Sequence, residues 1–248
     1  MITDDKLVLQ GGTTADTTFS ATGVSSNYIA VSNQAPDLGA GESLTAHILV
    51  TTAATAGTAN DSSTVEFRIV SSAASDSTTK TLTNDTDFTD AQVSSEAVFT
   101  MANHGLHTGH VVLTDANAAT LPTGLTTARY YVVIRLTADT FQLASSMANA
   151  FAGTAVATDV GSGAYRFVVQ PMILASSGAV WHPVLSVGTA LQLIVPPAMT
   201  YGPYTVPLLP YVLGQYVEGG TITGGRWRVQ LIKNAHGIKF HASGFSIS

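Results

Sequence analysis

Cysteine is absent from this chain of 248 residues, so no disulfide framework staples it and no thiolate serves as nucleophile or metal ligand. Charge is scarce as well: Asp, Glu, Lys and Arg make up 10% of the residues against 45% hydrophobic ones. A freely diffusing domain usually carries about 25% charged residues, so a surface left to Thr, Ser, Ala and Gly implies large areas that end against other subunits. No run of about 18 apolar residues occurs, which argues against a membrane span. Met1 to Gln10 hold Asp4, Asp5 and Lys6 and no apolar run, so no secretory signal is expected there, and the lack of Cys fits assembly in a reducing cytosol.

Motifs that carry chemistry are missing too. There is no G-x-S-x-G and no H-E-x-x-H, and the glycine-rich pieces Gly161-Ser162-Gly163 and Gly219-Gly220 lack the Lys or helix start that a phosphate cradle requires. No paired acids for glycoside hydrolysis stand out. The chain is therefore not expected to be an enzyme, and no catalytic residue, cofactor-binding residue, cofactor or metal ligand is assigned. A net charge of -6 without a basic run argues against nucleic acid as a partner.

What is present is a pattern of short strands. The stretch Leu208 to Ile232 organises it. From Tyr211 to Val217 the side chains alternate, Tyr211, Leu213 and Val217 on one face and Val212 and Tyr216 on the other. Beyond Gly219-Gly220 and Gly224-Gly225, Arg226, Arg228 and Gln230 oppose Trp227, Val229 and Leu231. This reads as a half-buried antiparallel strand pair whose Trp227 wall needs a second sheet to cover it. Candidates for that cover are Ser43 to Thr51, with Leu44, Ala46, Ile48 and Val50 on one side, and Thr64 to Val70, with Val65, Phe67 and Ile69 against Glu66 and Arg68. A chain this long buries roughly three quarters of its unfolded surface, enough for such a core.

Elsewhere, Met1 to Leu38 reads as an arm with one or two edge strands, and Lys233 to Ser248, with Ile238, Phe240, Phe245 and Ile247, as an added strand or tail. Ser71 to Phe88 is Ser/Thr/Asp-rich and reads as an exposed connection. A second unit follows, with strands at Ala97 to Met101, His110 to Leu113, Tyr130 to Leu136, Thr140 to Ala144 and Tyr165 to Val169. Ser145 to Ala152 is its helix, with Ser145 as possible N-cap and Gly153 as stop. Pro196, Pro197, Pro203, Pro207 and Pro210 make an extended passage that no central strand can hold. Many short strands and one short helix indicate an all-β sandwich.

Charge divides along the chain: residues 1–159 hold 15 acids and 5 Lys/Arg, a balance of -10, and residues 160–248 hold 1 acid and 5 Lys/Arg, a balance of +4. The carboxyl-terminal part is thus suited to an acidic protein surface.

Several segments, in order, resemble the jelly-roll capsid cement proteins of tailed bacteriophages. They are the opening MITDDKLVL, Leu38-Gly39-Ala40-Gly41-Glu42-Ser43-Leu44, Val65 to Ser72, and Tyr211-Val212-Leu213-Gly214-Gln215-Tyr216 followed by Gly224-Gly225-Arg226-Trp227-Arg228-Val229-Gln230-Leu231. The middle resembles a small β module that recurs as an insert in phage structural proteins. Its marks are Asn103-His104-Gly105-Leu106, Thr108-Gly109, Leu121-Pro122-Thr123-Gly124-Leu125, Tyr130-Tyr131-Val132-Val133 and Asp139-Thr140-Phe141-Gln142-Leu143-Ala144; His110 stands where that module commonly has Asp.

The resemblance implies an all-β, jelly-roll-like antiparallel sandwich of residues 1–75 and 170–248, a linker over 76–89 and an inserted small β domain over 90–169. It implies a virion protein, made in the bacterial cytoplasm and bound to the outer capsid surface, where it bridges major capsid protein subunits. Homodimer is the first expectation and trimer the alternative. The competing expectation is an adhesin or fibre-like component whose 90–169 module binds a host glycan or receptor through Tyr130, Tyr131 and Phe151.

Residues that invite chemistry have plainer readings. His104, His107 and His110 are spaced by three, which in an extended turn scatters imidazoles, and Gly105 and Gly109 block a helix. Asp85, Asp87 and Asp90 lack the glycine and distal Glu of a calcium loop. Trp227, Phe67 and Tyr216 read as core, and Trp181-His182-Pro183 as either a cap on the sandwich or a contact with a neighbour.

Overall fold

In the computed structural model the described residues are 8–10, 17–18, 23–30, 44–56, 62–76, 78–196 and 198–233. Residues 234–248, with the strand or tail expected there, lie outside them, as does the lead apart from 8–10, 17–18 and 23–30; the edge strands expected in the lead are among the described residues, at 8–10 and 23–30. Strands take up 56% of the chain and helix 4%, so the protein is all-β. In chain order come β1 (Val8–Gln10), β2 (Thr17–Thr18), β3 (Gly23–Ala30), β4 (Leu44–Ala56), β5 (Thr64–Ser72) and β6 (Lys80–Thr83). Then follow β7 (Thr89–Val93), β8 (Glu96–Thr100), β9 (Val111–Asp115), β10 (Tyr130–Arg135), β11 (Thr140–Ala144), the helix α1 (Met147–Phe151) and β12 (Arg166–Val169). Last are β13 (Met172–Trp181), a 3-10 turn (His182–Val184), β14 (Ala190–Val195), β15 (Met199–Tyr201), β16 (Tyr204–Val206), β17 (Tyr211–Gly219) and β18 (Ile222–Lys233).

Two compact units share these strands. The first is Met1–Ser71, Ile173–Pro197 and Tyr211–Ser248, and the second is Ser72–Met172 with Ala198–Pro210. In the first, one sheet runs β1-β18-β4-β14, with β2 added on β18, and the other runs β13-β5-β17-β3. Setting the two-residue β2 aside and counting the unit's own strands in sequence, the sheets read first-eighth-third-sixth and fifth-fourth-seventh-second. That interleaving is the strand order of a jelly roll.

The hydrophobic pattern explains the register. Ile48 lies opposite Val229 and Leu191, Ala46 opposite Leu231 and Leu193, and Val50 opposite Trp227, so one face of the β18-β4-β14 array is continuously apolar. Val65, Phe67, Ile69, Val212 and Tyr216 come from the other sheet and are buried. Trp227 is enclosed by Phe67 at 5.4 Å and Tyr216 at 5.6 Å between ring centroids.

Three expectations for this unit are corrected. The stretches around Tyr216 and Trp227 do not pair with each other: β17 and β18 enter opposite sheets. The corner between them is Gly219-Gly220, where Gly220 has φ +105 and a Cβ would run into Ser63, while the Thr221 amide donates to Ser63 Oγ at 3.0 Å. Only a residue without a side chain passes there, and the chain crosses from one sheet to the other. Of the two candidate covers, β5 faces Trp227 but β4 lies beside it in the same sheet. Alternation along β17 also breaks, since Val212 and Leu213 are both buried where the register against β3 slips between Leu213 and Gln215.

The second unit is one sheet of seven strands, β6-β12-β9-β10-β11-β8-β7, curled into a half-barrel. Its concave side is packed with Phe88, Phe99, Tyr131, Phe141, Tyr165 and Phe167. On the opposite side α1 lays Ala150 and Met147 over Val132, Ile134 and Ala144. The helix begins one residue later than expected, with Ser146 as N-cap accepting from the Asn149 amide at 3.2 Å.

Residues 76–89 do not form an exposed connection. β6 pairs with β12, Leu82 is buried, and Phe88 stacks on Phe167 at 4.9 Å. Two apolar side chains in a polar stretch suffice, because Asp85, Thr86 and Asp87 between them make an exposed turn while Asn84 is buried with its side-chain amide donating to the Gly163 carbonyl at 3.1 Å. Residues 198–210 likewise leave the sandwich's expected 170–248 segment and complete the half-barrel. Their β15-β16 hairpin stacks Tyr204 on Phe151 at 4.1 Å, sets Val206 against Gly109, and buries Leu209 in the aromatic core.

Candidate functional site

The loop from Asn103 to His110, between β8 and β9, gathers the three histidines. His110 is fully buried: its Nδ1 accepts from the His107 amide at 3.0 Å, which makes Nε2 the protonated nitrogen, and Nε2–H donates to the Pro207 carbonyl at 2.9 Å. Burial pushes its pKa down to about 4, so the ring is neutral near pH 7. His104 Nδ1 accepts from the Leu106 amide at 2.9 Å while its ring packs edge-on to Phe141. His107 takes the Arg135 guanidinium, Nη1 to Nδ1 at 3.1 Å. Burial lowers the pKa of both, and the Arg135 charge lowers that of His107 further.

The three rings thus hold backbone and a neighbouring cation. Among the described residues no three His, Cys, Asp or Glu side chains converge as a metal site. What the loop does chemically is clamp the 198–210 strap, through His110 and Pro207. Nothing in the His-x-x-His-x-x-His spacing forecast this, because the partner carbonyl comes from a distant segment.

The acidic residues have turn work. Asp87 accepts from the Thr83 amide at 2.8 Å, Asp90 from Gly161 at 2.6 Å, Asp115 from Asn117 at 2.9 Å and Asp139 from Asn103 at 2.7 Å, and Asp159 clasps both the amide and the hydroxyl of Thr123. The Thr123 bonds hold the Asp159 carboxyl below its usual range, and burial together with nearby Asp90 raises the Tyr165 phenol. These five of the acids before residue 160 thus serve turns of the half-barrel. Asp85, Asp87 and Asp90 do not form one cluster: Asp85 sits in the β6-β7 turn at φ 65, and Asp90 points to Gly161.

Of the aromatic residues considered as ligand contacts, only Tyr130 is open, at 59% exposure. Tyr131 is buried with its hydroxyl accepting from the Thr126 amide at 2.9 Å, and Phe151 is covered by Tyr204.

In the sandwich the notable surface is an edge. Among the described residues β13 is the outer strand of one sheet and β14 of the other. They are consecutive, joined by the 3-10 turn in which the buried His182 ring faces the Ser63 carbonyl at 3.3 Å. Every exposed large hydrophobic of this unit that is described lies here: Ile173 at 44%, Trp181 at 49%, Val184 at 56%, Val187 at 63% and Ile194 at 72%. Of Trp181-His182-Pro183, His182 caps the sandwich from within and Trp181 faces outward. Such grouping on one flank marks an interaction surface more than chance exposure does.

Comparison with protein-family models, with curated proteins and with solved structures yields no match. The fold and its surfaces are therefore what a functional reading rests on.

Proposed function

We propose that this protein is a structural component of a tailed-phage virion, a cement protein that binds the outer face of the capsid shell and bridges major capsid protein subunits. It acts by adding buried contact area, without a catalytic step, and works as a homo-oligomer, dimer before trimer. The observation that carries the reading is the jelly-roll strand order, in which the resembling segments 65–72, 211–216 and 224–231 lie on β5, β17 and β18. Two further features support it: the 10% charge content and the apolar flank along β13 and β14. Repetition over a shell turns modest single contacts into high avidity, which suits a protein that works by contact area.

The test is addition of purified protein to expanded shells lacking it, followed by imaging and by heating with DNA release as readout. Ordered density on the outer surface and release at a higher temperature are expected. Shells that neither bind the protein nor change their release temperature would overturn the reading. Exposed Tyr130 favours the adhesin alternative at a single position; adsorption to host cells by the full chain, lost in Tyr130→Ala, would select it.

A further inference from the structure

We propose that the flank formed by β13, the turn after it and β14 is where a second copy of this chain docks, β13 running antiparallel to β13 so that two four-stranded sheets continue as one. This deepens the oligomeric part of the function proposed above by naming the surface that makes the dimer. Among the described residues β13 is the outer strand of its sheet; an edge strand presents a row of N–H and C=O groups, and proteins that stay monomeric blunt it with charge, proline or brevity. β13 is ten residues long, MILASSGAVW, with none of the three; its nearest prolines, Pro171 and Pro183, stand outside it.

The middle of β13 is already satisfied by its own side chains: Gly178 donates to Ser176 Oγ at 2.9 Å, and Ser177 Oγ donates to the Gly178 carbonyl at 2.8 Å. Gly178 has φ +66, and a Cβ there would meet nothing within 4 Å, so a second backbone can come close. The kink makes a natural centre for a two-fold axis, with the strand's two halves left to pair across it. An isologous contact of this kind requires only that the edge suit itself.

Charge selects the occupant. No Asp, Glu, Lys or Arg occurs between Arg166 and Glu218, so β13, β14 and the turn between them hold none of these charged side chains. Two copies meet without like-charge repulsion, and a charged partner finds nothing to pair with. Area agrees: from their fractional exposures Ile173, Val184, Val187 and Ile194 offer roughly 400 Å² of apolar surface per chain, about half of the ~800 Å² per partner that a stable interface buries. The remainder comes from the strand's backbone and the rim around it.

Sedimentation equilibrium of the full chain, up to about 100 µM, tests this. A dimer is expected, with Val187→Lys and Ile194→Lys each weakening it at least about tenfold and Ala179→Pro, which removes a backbone donor from the edge strand, doing the same. Val187 and Ile194 are the most exposed of the group, so their lysine variants keep the wild-type melting temperature and tryptophan emission. A wild-type monomer at that concentration, a trimer, or a dimer indifferent to all three substitutions would overturn the proposal. Shell binding is scored separately: monomeric variants that still bind shells leave the cement reading standing, and a wild-type dimer that binds none removes only that reading.

Discussion

Trp227 and Phe167 are both buried aromatic residues on β-strands, yet they are buried by different means. Trp227 is covered by rings delivered from another sheet, Phe67 and Tyr216. Phe167 is surrounded by Phe88, Phe99, Phe141 and Tyr165, all from strands and turns of the one sheet that curls around them. A sandwich must bring together segments far apart in sequence, and it ends with edges; a curled sheet encloses its own face, and its difficulty is the turns. The side chains follow suit: the half-barrel places its acids and histidines at turn amides, and the sandwich leaves an apolar flank along β13 and β14.

The largest effect that would sharpen this comparison is loss of the inter-sheet ring. Trp227→Ala is expected to cost the sandwich about 3–5 kcal/mol. Because both tryptophans, Trp181 and Trp227, belong to the first unit, Trp181 emission follows the sandwich in that variant without contribution from the half-barrel. Phe167→Ala should leave tryptophan emission at low denaturant as it is, while hydrogen exchange quickens across β9 and β12. If the Phe167 variant moved the tryptophan transition as far as the Trp227 variant does, the two cores would not be separable.

The histidine clamp comes next. His110 has its folded pKa near 4 against an ordinary 6.5, so between those values the unfolded chain takes up the proton that the folded chain refuses. Its contribution is whole above about pH 6.5 and is lost as the pH falls towards 4, on the order of 3 kcal/mol in all. Lowered pKa values at His104 and His107 act with the same sign. Hydrogen-exchange protection factors of residues 104–110 and 204–209, taken against the intrinsic rate at each pH, should therefore fall between pH 6.5 and 4, and His110→Gln should flatten that dependence. An equal fall in protection in the variant would show that the clamp is not what titrates.

Smaller is the cost of crowding the strap. Gly109→Ala places a methyl against Val206 Cγ2, 2.5 Å from where its Cβ would stand, and is expected to cost about 2 kcal/mol, read as faster exchange in β16. The smallest change is on the sandwich's outer face. Arg68 makes a bidentate pair with Glu66, Nε to Oε1 at 2.8 Å and Nη2 to Oε2 at 2.7 Å, but both are part-exposed. Arg68→Ala should lower stability by no more than about 1 kcal/mol, and the difference should shrink in high salt when urea midpoints are compared.

Legibility followed the range of the forces involved. The alternation of Leu44, Ala46, Ile48 and Val50, of Val65, Phe67 and Ile69, and of Trp227, Val229 and Leu231 was readable because a strand's two faces are written at a spacing of two residues. The same local signals located β9, β10 and β11 and the helix, the last within a residue or two. β6 escaped notice because its single buried residue, Leu82, sits among Thr and Lys. The strap escaped because prolines announce an extended course and say nothing of where it lands. For the histidines, spacing showed only that they do not line one face.

The chain by itself determined that it would be all-β, which faces of its strands would be apolar, and that its surface would hold few charges. Tertiary structure alone decided that β17 and β18 part into opposite sheets, that 198–210 belongs to the half-barrel, and that His110 finds the Pro207 carbonyl. Strand periodicity is a property of neighbours in sequence, whereas the choice of partner strand is settled by which distant surfaces exclude water from each other most completely. A single chain states the first directly and the second only once it has folded.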